Sequence, residues 1–197
     1  MMPLMVDEEQ ELLQRVQKDE TPALQEFVER YKKQIYFLAL DLTGNHYDAE
    51  DLSQDVFLKA FNAVKKFRGD SKLSSWLHRI TVNTYLDERR KKSFRIMKIN
   101  EPMDQNFHEL AITDSTPQTD LERKRLQQEI DQALNSLSPQ QKSVFVLRHY
   151  KDLKLREIAD VLQLSEGTVK SVLFRAIRKL QEALSSYRFH PGLEEAQ

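Results

Sequence analysis

Four polar residues near the middle of the chain have the spacing of one helix face. They are Arg79, Asn83, Asp87 and Arg90. Their intervals of four, four and three residues would align the side chains along a helix. An asparagine amide can pair with a base edge, and an arginine can bind a base or a phosphate. Because the same helix ends in the basic run Arg89–Lys92, the pattern indicates nucleic-acid binding.

The loop before this helix adds hydrogen-bonding groups that can hold an unstacked base. Between Phe67 and Ser75 it contains Arg68, Asp70, Ser71, Lys72 and Ser74. Trp76 comes next, and its spacing with Leu77 and Ile80 is that of a buried stripe, so core packing is the commoner role for its ring. A basic run can also complement the helix dipole. Neither alternative explains why the loop, the polar face and the basic end follow one another.

A second candidate surface lies within residues 155–176, which have the spacing of a helix-turn-helix. Ile158, Ala159 and Leu162 would line the inner face of a short helix, and the small Ala159 would let a second helix cross closely. Ser165 is the predicted N-cap of that second helix. Its predicted inner stripe comprises Val169, Leu173, Ala176, Ile177 and Leu180.

The outer stripe of the second helix carries groups that suit the major groove of DNA. It comprises Thr168, Ser171, Arg175 and Arg178, with Lys170 and Phe174 beside them. A solvated pair of amphipathic helices would show similar cations, and single exposed hydrophobic residues are common. The aromatic ring of Phe174 on the polar side favours DNA binding.

Helical periodicity also dominates the segments that must position these groups. Two apolar stripes are formed by Leu24, Phe27, Val28, Tyr31, Ile35 and Leu38, and by Leu52, Val56, Phe57, Phe61 and Val64. Asp48 is the predicted N-cap of the second of these helices. No stretch of more than four residues shows the strict alternation of a half-buried strand. The expected fold class is therefore all-α.

Two small helical domains joined by a flexible linker fit this pattern. From about Phe94 to Asp120 the periodicity lapses, and proline, asparagine and aspartate accumulate. The segment is longer than most loops inside a compact domain. Helices resume after it, and Ser138 with Pro139 has the form of an N-cap followed by a first helical residue.

Charge is distributed in blocks, although the chain as a whole carries only −1. The net charge is −7 over residues 1–64, +8 over 65–98, −4 over 99–124 and +2 over 125–197. Such blocks either balance each other within one fold or give separate surfaces different fields. We favour separate surfaces, of which the basic one faces phosphate and the acidic ones face a basic partner.

The composition excludes or disfavours several function classes. The chain has no cysteine and only four isolated glycines, so it lacks thiolate metal sites, cysteine nucleophiles and glycine-rich phosphate loops. The five histidines are scattered without metal-ligand spacing, so we expect that the protein is not an enzyme and binds no metal or cofactor.

No apolar run approaches the roughly 20 residues of a membrane span, and the acidic start is unlike a signal peptide. We expect a soluble intracellular protein without membrane insertion.

The motifs resemble two conserved domains of bacterial sigma factors, most closely those of the extracytoplasmic-function (ECF) group of the sigma-70 family. The second conserved domain is similar to residues 48–57, 67–71 and 75–80, together with Asn83 and Arg89–Arg90. The fourth is similar to residues 137–142, 157–159 and 166–171. The expected organisation is an N-terminal segment at 1–21, sigma domain 2 at 22–95, a linker at 96–124, sigma domain 4 at 125–187 and a tail at 188–197.

The resemblance implies a promoter-recognition subunit that binds core RNA polymerase and carries out no catalytic step. The acidic helix would bind the clamp helices of the β′ subunit through Asp48, Glu50, Asp51, Gln54, Asp55 and Phe57. Compensation of the helix dipole is an alternative role for the acids, and both roles can hold. The linker would pass along the polymerase cleft, and the β subunit and an anti-sigma factor are further expected partners.

Two sets of residues would bind promoter DNA if the resemblance holds. The −10 element would be opened, and a flipped base captured, by Arg68, Asp70, Ser71, Lys72, Ser74, Trp76, Arg79, Asn83, Arg89 and Arg90. The −35 element would be bound as duplex by Ser165, Gly167, Thr168, Lys170, Ser171, Phe174, Arg175 and Arg178.

The sequence departs from the family pattern at two positions of the helix-turn-helix. Lys154 and Leu155 stand where a serine or threonine cap is frequent, and a missing cap costs about 1 kcal/mol. Gln163 stands where glycine is frequent in the turn, and a positive φ costs a non-glycine residue about 1–2 kcal/mol. Both departures affect the local geometry of the turn, and neither changes the class of protein that the motifs indicate.

A two-domain regulator is the main alternative. It would combine a LuxR-type helix-turn-helix with an unrelated helical sensor domain, and it explains residues 138–184 equally well. It gives no reason why an acidic helix, a polar loop and a basic helix that contains the tryptophan should follow one another in this order. Such a regulator should bind its operator unaided, whereas a sigma factor should bind a promoter specifically only together with core polymerase.

Overall fold

The computed structural model describes residues 4–69, 71–99 and 117–185, and these residues form eight helices and no strand. They divide into two compact units, each made of four consecutive helices. The expectation of an all-α protein with two helical domains is therefore confirmed. Most of the predicted linker and the whole of the predicted tail lie outside the described residues.

The first unit consists of α1 (Leu4–Gln17), α2 (Thr21–Thr43), α3 (His46–Val64) and α4 (Leu73–Ile99). Helix α2 packs against the other three. Its predicted stripe largely holds, because Phe27, Tyr31, Ile35 and Leu38 are buried. Helix α1 lies in the N-terminal segment, for which the sequence had indicated no element.

Phe27 lies at the centre of this unit and has no exposed surface. Its ring lies 5.9 Å from the ring of Phe61 and 6.4 Å, edge to face, from that of Phe57. Offset and edge-to-face aromatic pairs of this kind add to the stabilisation that comes from burial. Together with the buried side chains of Leu52 and Val56, these contacts pack one face of α3 against α2.

The junction between α2 and α3 corrects the predicted N-cap. Helix α2 ends at Gly44, which has a φ of 73° and donates its N–H to the Leu40 carbonyl. Asn45 then accepts the Asp48 N–H on its side-chain oxygen at 3.1 Å. The helix therefore begins at His46, and Asp48 lies inside the first turn instead of capping it. The amide of Asn45 is in reach of the free N–H groups, so a later cap is not needed.

The second unit consists of α5 (Pro117–Ser136), α6 (Pro139–His149), α7 (Leu155–Leu162) and α8 (Glu166–Ala183). Helix α8 packs against the other three. Ser138 caps α6 as predicted, because its hydroxyl accepts the Gln141 N–H and the Gln141 side chain accepts the Ser138 N–H. Helix α5 begins within the segment that the sequence had indicated as linker.

The inner face of α8 is broader than predicted. Val169, Ala176 and Leu180 are buried as expected, whereas Leu173 and Ile177 are only half-buried. Val172 is buried and was not in the predicted stripe. The reason is that α8 contacts three helices from different sides, which requires a wider apolar arc than one neighbour would.

The turn between α7 and α8 shows how the chain accommodates its two departures from the family pattern. The backbone N–H of Lys154 donates to the Glu157 carboxylate at 2.8 Å, so half of a capping box remains without a hydroxyl. Gln163 adopts a left-handed conformation with φ 54° and ψ 45°. The Leu164 N–H donates to the Ala159 carbonyl at 2.9 Å and closes the helix end.

We expect Gln163→Gly to stabilise the protein by about 0.5–1 kcal/mol. The substitution relieves the left-handed strain, and the greater freedom of glycine in the unfolded chain offsets part of the gain. Gln132→Gly is the matched control, because Gln132 is exposed within α5 and should lose about 1 kcal/mol there. Urea unfolding followed by circular dichroism measures both; a loss of stability in Gln163→Gly contradicts the account of the turn.

Candidate nucleic-acid interface

A cleft of about 400 Å³ lies where the end of α3, the following loop and the start of α4 meet. Cationic and aromatic side chains line it, namely those of Lys66, Phe67, Arg68, Ser71, Trp76 and Arg79, beside Ala63. The Phe67 and Trp76 rings lie 5.0 Å apart at an angle of 41°. Trp76 is half-buried, so its ring packs in the fold and forms a wall of the cleft at the same time.

The cleft gathers part of the predicted −10 group. Arg68, Ser71, Trp76 and Arg79 line it together. Lys66 and Phe67 line it too, although sequence reasoning had not assigned them to the site. The signal that could have identified them is the single aromatic residue, Phe67, between the cations Lys66 and Arg68.

The other members of the predicted −10 group lie elsewhere. Lys72 and Asn83 are exposed, and Ser74 is half-buried. Arg90 is exposed and forms an ion pair with Asp87 at 3.6 Å. Arg89 lines a different cleft, on the side of α4 that faces α3. Asp70 lies outside the described residues.

This other cleft, of about 430 Å³, runs between α3 and α4 and contains most of the predicted acidic group. Asp48, Asp51, Gln54 and Asp55 line it from α3, and Tyr85, Glu88, Arg89 and Lys92 line it from α4, with Thr43 at one end. All four α3 side chains are exposed. The result is a carboxylate surface bordered by two cations.

Glu88 contributes to this surface in a way that the sequence did not indicate. Burial raises its pKa above the ordinary value for a glutamate, and the neighbouring Asp55 raises it further. Lys59 acts in the opposite direction, while its ammonium also donates to the Thr84 hydroxyl at 3.1 Å. Because a raised carboxyl pKa favours the protonated form, Glu88 loses its negative charge at a higher pH than an isolated glutamate would.

Two predicted members of the acidic group lie apart from the cleft. The exposed Glu50 carboxylate lies 3.3 Å from the His46 imidazole nitrogen Nε2. Phe57 is half-buried, with its ring 6.2 Å from that of Phe61 and 6.4 Å from that of Phe27. The spacing along α3 therefore spreads the predicted group over more than one side of the helix.

The outer face of α8 is exposed along its length. The exposed side chains are those of Thr168, Lys170, Ser171, Phe174, Arg175 and Arg178. The Phe174 side chain has 68% of its surface exposed. The predicted outer side chains of this helix are therefore exposed, whereas its inner face differs from the prediction at Val172, Leu173 and Ile177.

Local hydrogen bonds order the first turns of α8. The Ser165 hydroxyl accepts the Thr168 N–H at 3.1 Å and lies 2.8 Å from the Thr168 hydroxyl, which confirms the predicted N-cap. The Arg175 guanidinium donates to the Ser171 carbonyl at 3.3 Å. Arg178 pairs with Glu182 at 3.0 Å. A Cβ at Gly167 would meet only the Ser165 hydroxyl, at 3.9 Å, so packing within the chain does not require glycine there.

Within the described ranges, no group of three or more histidine, aspartate or glutamate side chains is arranged to hold a metal ion. None of the helices in that part of the chain is both long and apolar enough to cross a membrane.

Two family models match the two units. Residues 27–95 match the model of Sigma-70 region 2, and residues 127–180 match that of Sigma-70 region 4. The first match removes the alternative in which the N-terminal unit is an unrelated sensor domain.

Individual relatives give the same result. The chain is 33% identical to the ECF RNA polymerase sigma-E factor of Escherichia coli K12, with 85% of this chain and 90% of that protein covered. It is 32% identical to the ECF RNA polymerase sigma factor SigE of Mycolicibacterium smegmatis, covering 84% of this chain but only 63% of that protein.

A solved structure shares the fold. The sigma factor RpoE from Bartonella quintana, in complex with the anti-sigma factor NepR, is similar with a TM-score of 0.66 and 25% identity. The similarity covers 82% of this chain and 96% of that one. The chain belongs to the ECF group of the sigma-70 family and functions in promoter-specific initiation of transcription.

Proposed function

We propose that the two units divide promoter recognition between them while α3 binds core RNA polymerase. The first unit binds and opens the −10 element, and the second binds the −35 element as duplex. The observation that carries this proposal is the match of one family region to each unit, with an exposed candidate surface on both. The domain boundaries 22–95 and 125–187 are part of the same proposal.

The cleft at the end of α3 and the start of α4 has the chemistry that an unpaired base needs. The Phe67 and Trp76 rings offer apolar surface for a base, and aromatic contacts of this kind are worth about 1–3 kcal/mol per base. Arg68 and Lys66 at the rim supply positive charge for the flanking phosphates. The exposed Asn83 and Arg90 extend this surface along α4.

The outer face of α8 has the chemistry that a DNA major groove needs. Arg175 can bond a guanine edge, and Phe174 can contact a thymine methyl group. Glycine at position 167 lowers helix propensity by about 1 kcal/mol relative to alanine and is not required by packing within the chain. Its lack of a side chain supports a close approach of DNA to the start of α8.

The acidic surface of α3 supports binding to a basic partner. Asp48, Asp51 and Asp55 are exposed on one side of the helix, and the opposite side packs in the core. We assign this surface to the clamp helices of the β′ subunit, with the β subunit as a further contact. Glu50 and Phe57, which lie apart from it, contribute less directly to the same interface.

The remaining parts of the proposal concern partners and place of action. An anti-sigma factor is a further partner, because the similar Bartonella quintana sigma factor was solved with one. The proposed place of action is the bacterial cytoplasm, where polymerase and chromosome meet. The chain supplies binding energy for recruitment and melting, and all catalysis belongs to the polymerase.

Run-off transcription on a fragmented genomic library, with and without this chain added to purified core polymerase, tests the proposal. We expect new start sites that share two upstream elements. If no new transcripts form and the chain alone binds duplex DNA tightly and specifically, the division of roles proposed here is wrong.

Arg175→Ala should weaken recognition of the −35-type element by about 1–3 kcal/mol if the guanidinium bonds a base. Stability should change little, because the side chain is exposed. Transcription from promoters with intact and substituted upstream elements measures the loss. Arg125→Ala removes the same charge from an exposed position of α5 and should leave recognition unchanged; equal losses in both variants would indicate a general charge effect.

Asp51→Arg should lower the affinity for core polymerase without altering DNA preference, because it reverses charge at the centre of the acidic surface. Titration of labelled protein with core polymerase measures the affinity. Glu29→Arg makes the same charge change at an exposed position of α2 and serves as the control. Unchanged core binding in Asp51→Arg would remove this surface from the polymerase interface.

A further inference from the structure

The end of α3 is closed without a left-handed cap residue. Its C-cap residue, Lys65, stays in the right-handed region with a φ of −60°, whereas many helices end in a left-handed glycine whose N–H groups satisfy the last carbonyls. The chain continues through a tight turn in which the Phe67 N–H donates to the Val64 carbonyl at 3.0 Å. The Lys66 N–H donates to the Ala63 carbonyl in the same way, also at 3.0 Å. Each of these carbonyls keeps a second lone pair that a further donor can use.

A side chain from α1 supplies further donors to this turn. The Nε2 group of Gln17 donates to the Val64 carbonyl and to the Phe67 carbonyl, each at 3.0 Å. A glutamine amide has two N–H donors, so both are used on one turn. Because both partners are carbonyls, the nitrogen of the amide must face the turn.

Helix α1 is held in place independently of this contact. Leu12 and Val16 are buried in the core of the first unit, with 1% and 0% of their surface exposed. An ion pair between Lys65 and Asp19 joins the same two segments at the surface, but exposed pairs contribute little. Gln17, which is half-buried, therefore connects a fixed helix to the turn after α3.

The turn held by Gln17 leads directly into the cleft. Phe67 forms one of its walls and contacts Trp76, and Arg68 follows at its rim. The family match to region 2 begins only at residue 27, so α1 lies before the matched segment.

We propose that Gln17 is a positioning residue for promoter recognition, and that α1 through it fixes the wall and rim of the cleft that binds the −10 element. The inference rests on the proposed function of the cleft. Gln17 contacts no DNA itself; it determines where Phe67 and Arg68 stand before DNA arrives.

Gln17→Met tests the proposal, because methionine keeps the size of the side chain and removes both donors. The full-length variant is assembled with core polymerase and assayed on a promoter obtained from the run-off experiment. Versions of this promoter with the −10-type or the −35-type element replaced give two discrimination ratios. We expect −10 discrimination to fall roughly threefold to tenfold, as for the loss of one or two net hydrogen bonds. Discrimination at −35 and affinity for core polymerase should not change.

These ratios separate positioning from mere stabilisation. A variant that is only less stable has less folded protein, which lowers transcription from all promoters alike and leaves both ratios unchanged; that outcome overturns the proposal. Gln14→Met, at an exposed position of the same helix, is the control and should behave like the original chain. Gln17→Lys should restore discrimination, because an ammonium group also offers several donors and no acceptor.

Arg68→Ala distinguishes failure of this inference from failure of the proposed function. If Arg68→Ala lowers −10 discrimination and Gln17→Met does not, the cleft binds the −10 element without help from α1, and the inference is wrong. If neither variant changes the ratio, the cleft is not the −10 site, and both proposals fall.

Discussion

Burial of the Phe27 ring is the constraint on which both candidate surfaces of the first unit depend. The ring contacts Phe57 and Phe61 on α3, and this packing fixes the rotation of α3 about its own axis. Once that rotation is fixed, Asp48, Asp51 and Asp55 face solvent. The position of the end of α3 is fixed as well, and the chain that follows it forms part of the cleft lined by Phe67 and Arg68. One apolar contact set thus orients an acidic surface and a cationic cleft that share no residue.

In the second unit, packing around α8 likewise fixes the orientation of the candidate surface. Helix α8 is enclosed by three helices on its apolar side, so its polar side is left as the exposed face of the unit. Its start is fixed by the Ser165 cap, and the preceding turn is closed by the left-handed Gln163. The exposed side chains therefore extend from a helix whose position and first turn are both well defined.

Much of the architecture could be predicted because it depends on local periodicity. The apolar stripes of α2 and α8 and the caps at Ser138 and Ser165 follow from residues close together in sequence. The predicted cap at Asp48 was wrong because Asn45, three residues earlier, reaches the same N–H group. Spacing alone could not decide such a competition between neighbouring polar residues.

The parts that escaped prediction depend on contacts between distant segments. Gln17 bonds carbonyls that are 47 and 50 residues away, and the environment of Glu88 is made by side chains of α3. Arg79 and Arg89 were grouped as one basic set, but they line different clefts. No local pattern carries this information, because it follows from how α4 packs against α3.

The ion pairs on the proposed DNA surfaces affect how salt should influence binding. Arg90 is paired with Asp87, and Arg178 with Glu182, so these arginines already have an internal counter-ion. When a phosphate replaces the carboxylate, the DNA still releases its condensed cations, but part of the electrostatic gain is spent on breaking the internal pair. Because both pairs are exposed, that cost is small for each arginine. The two internal carboxylates should therefore lower the non-specific affinity for DNA only slightly below what the number of arginines suggests.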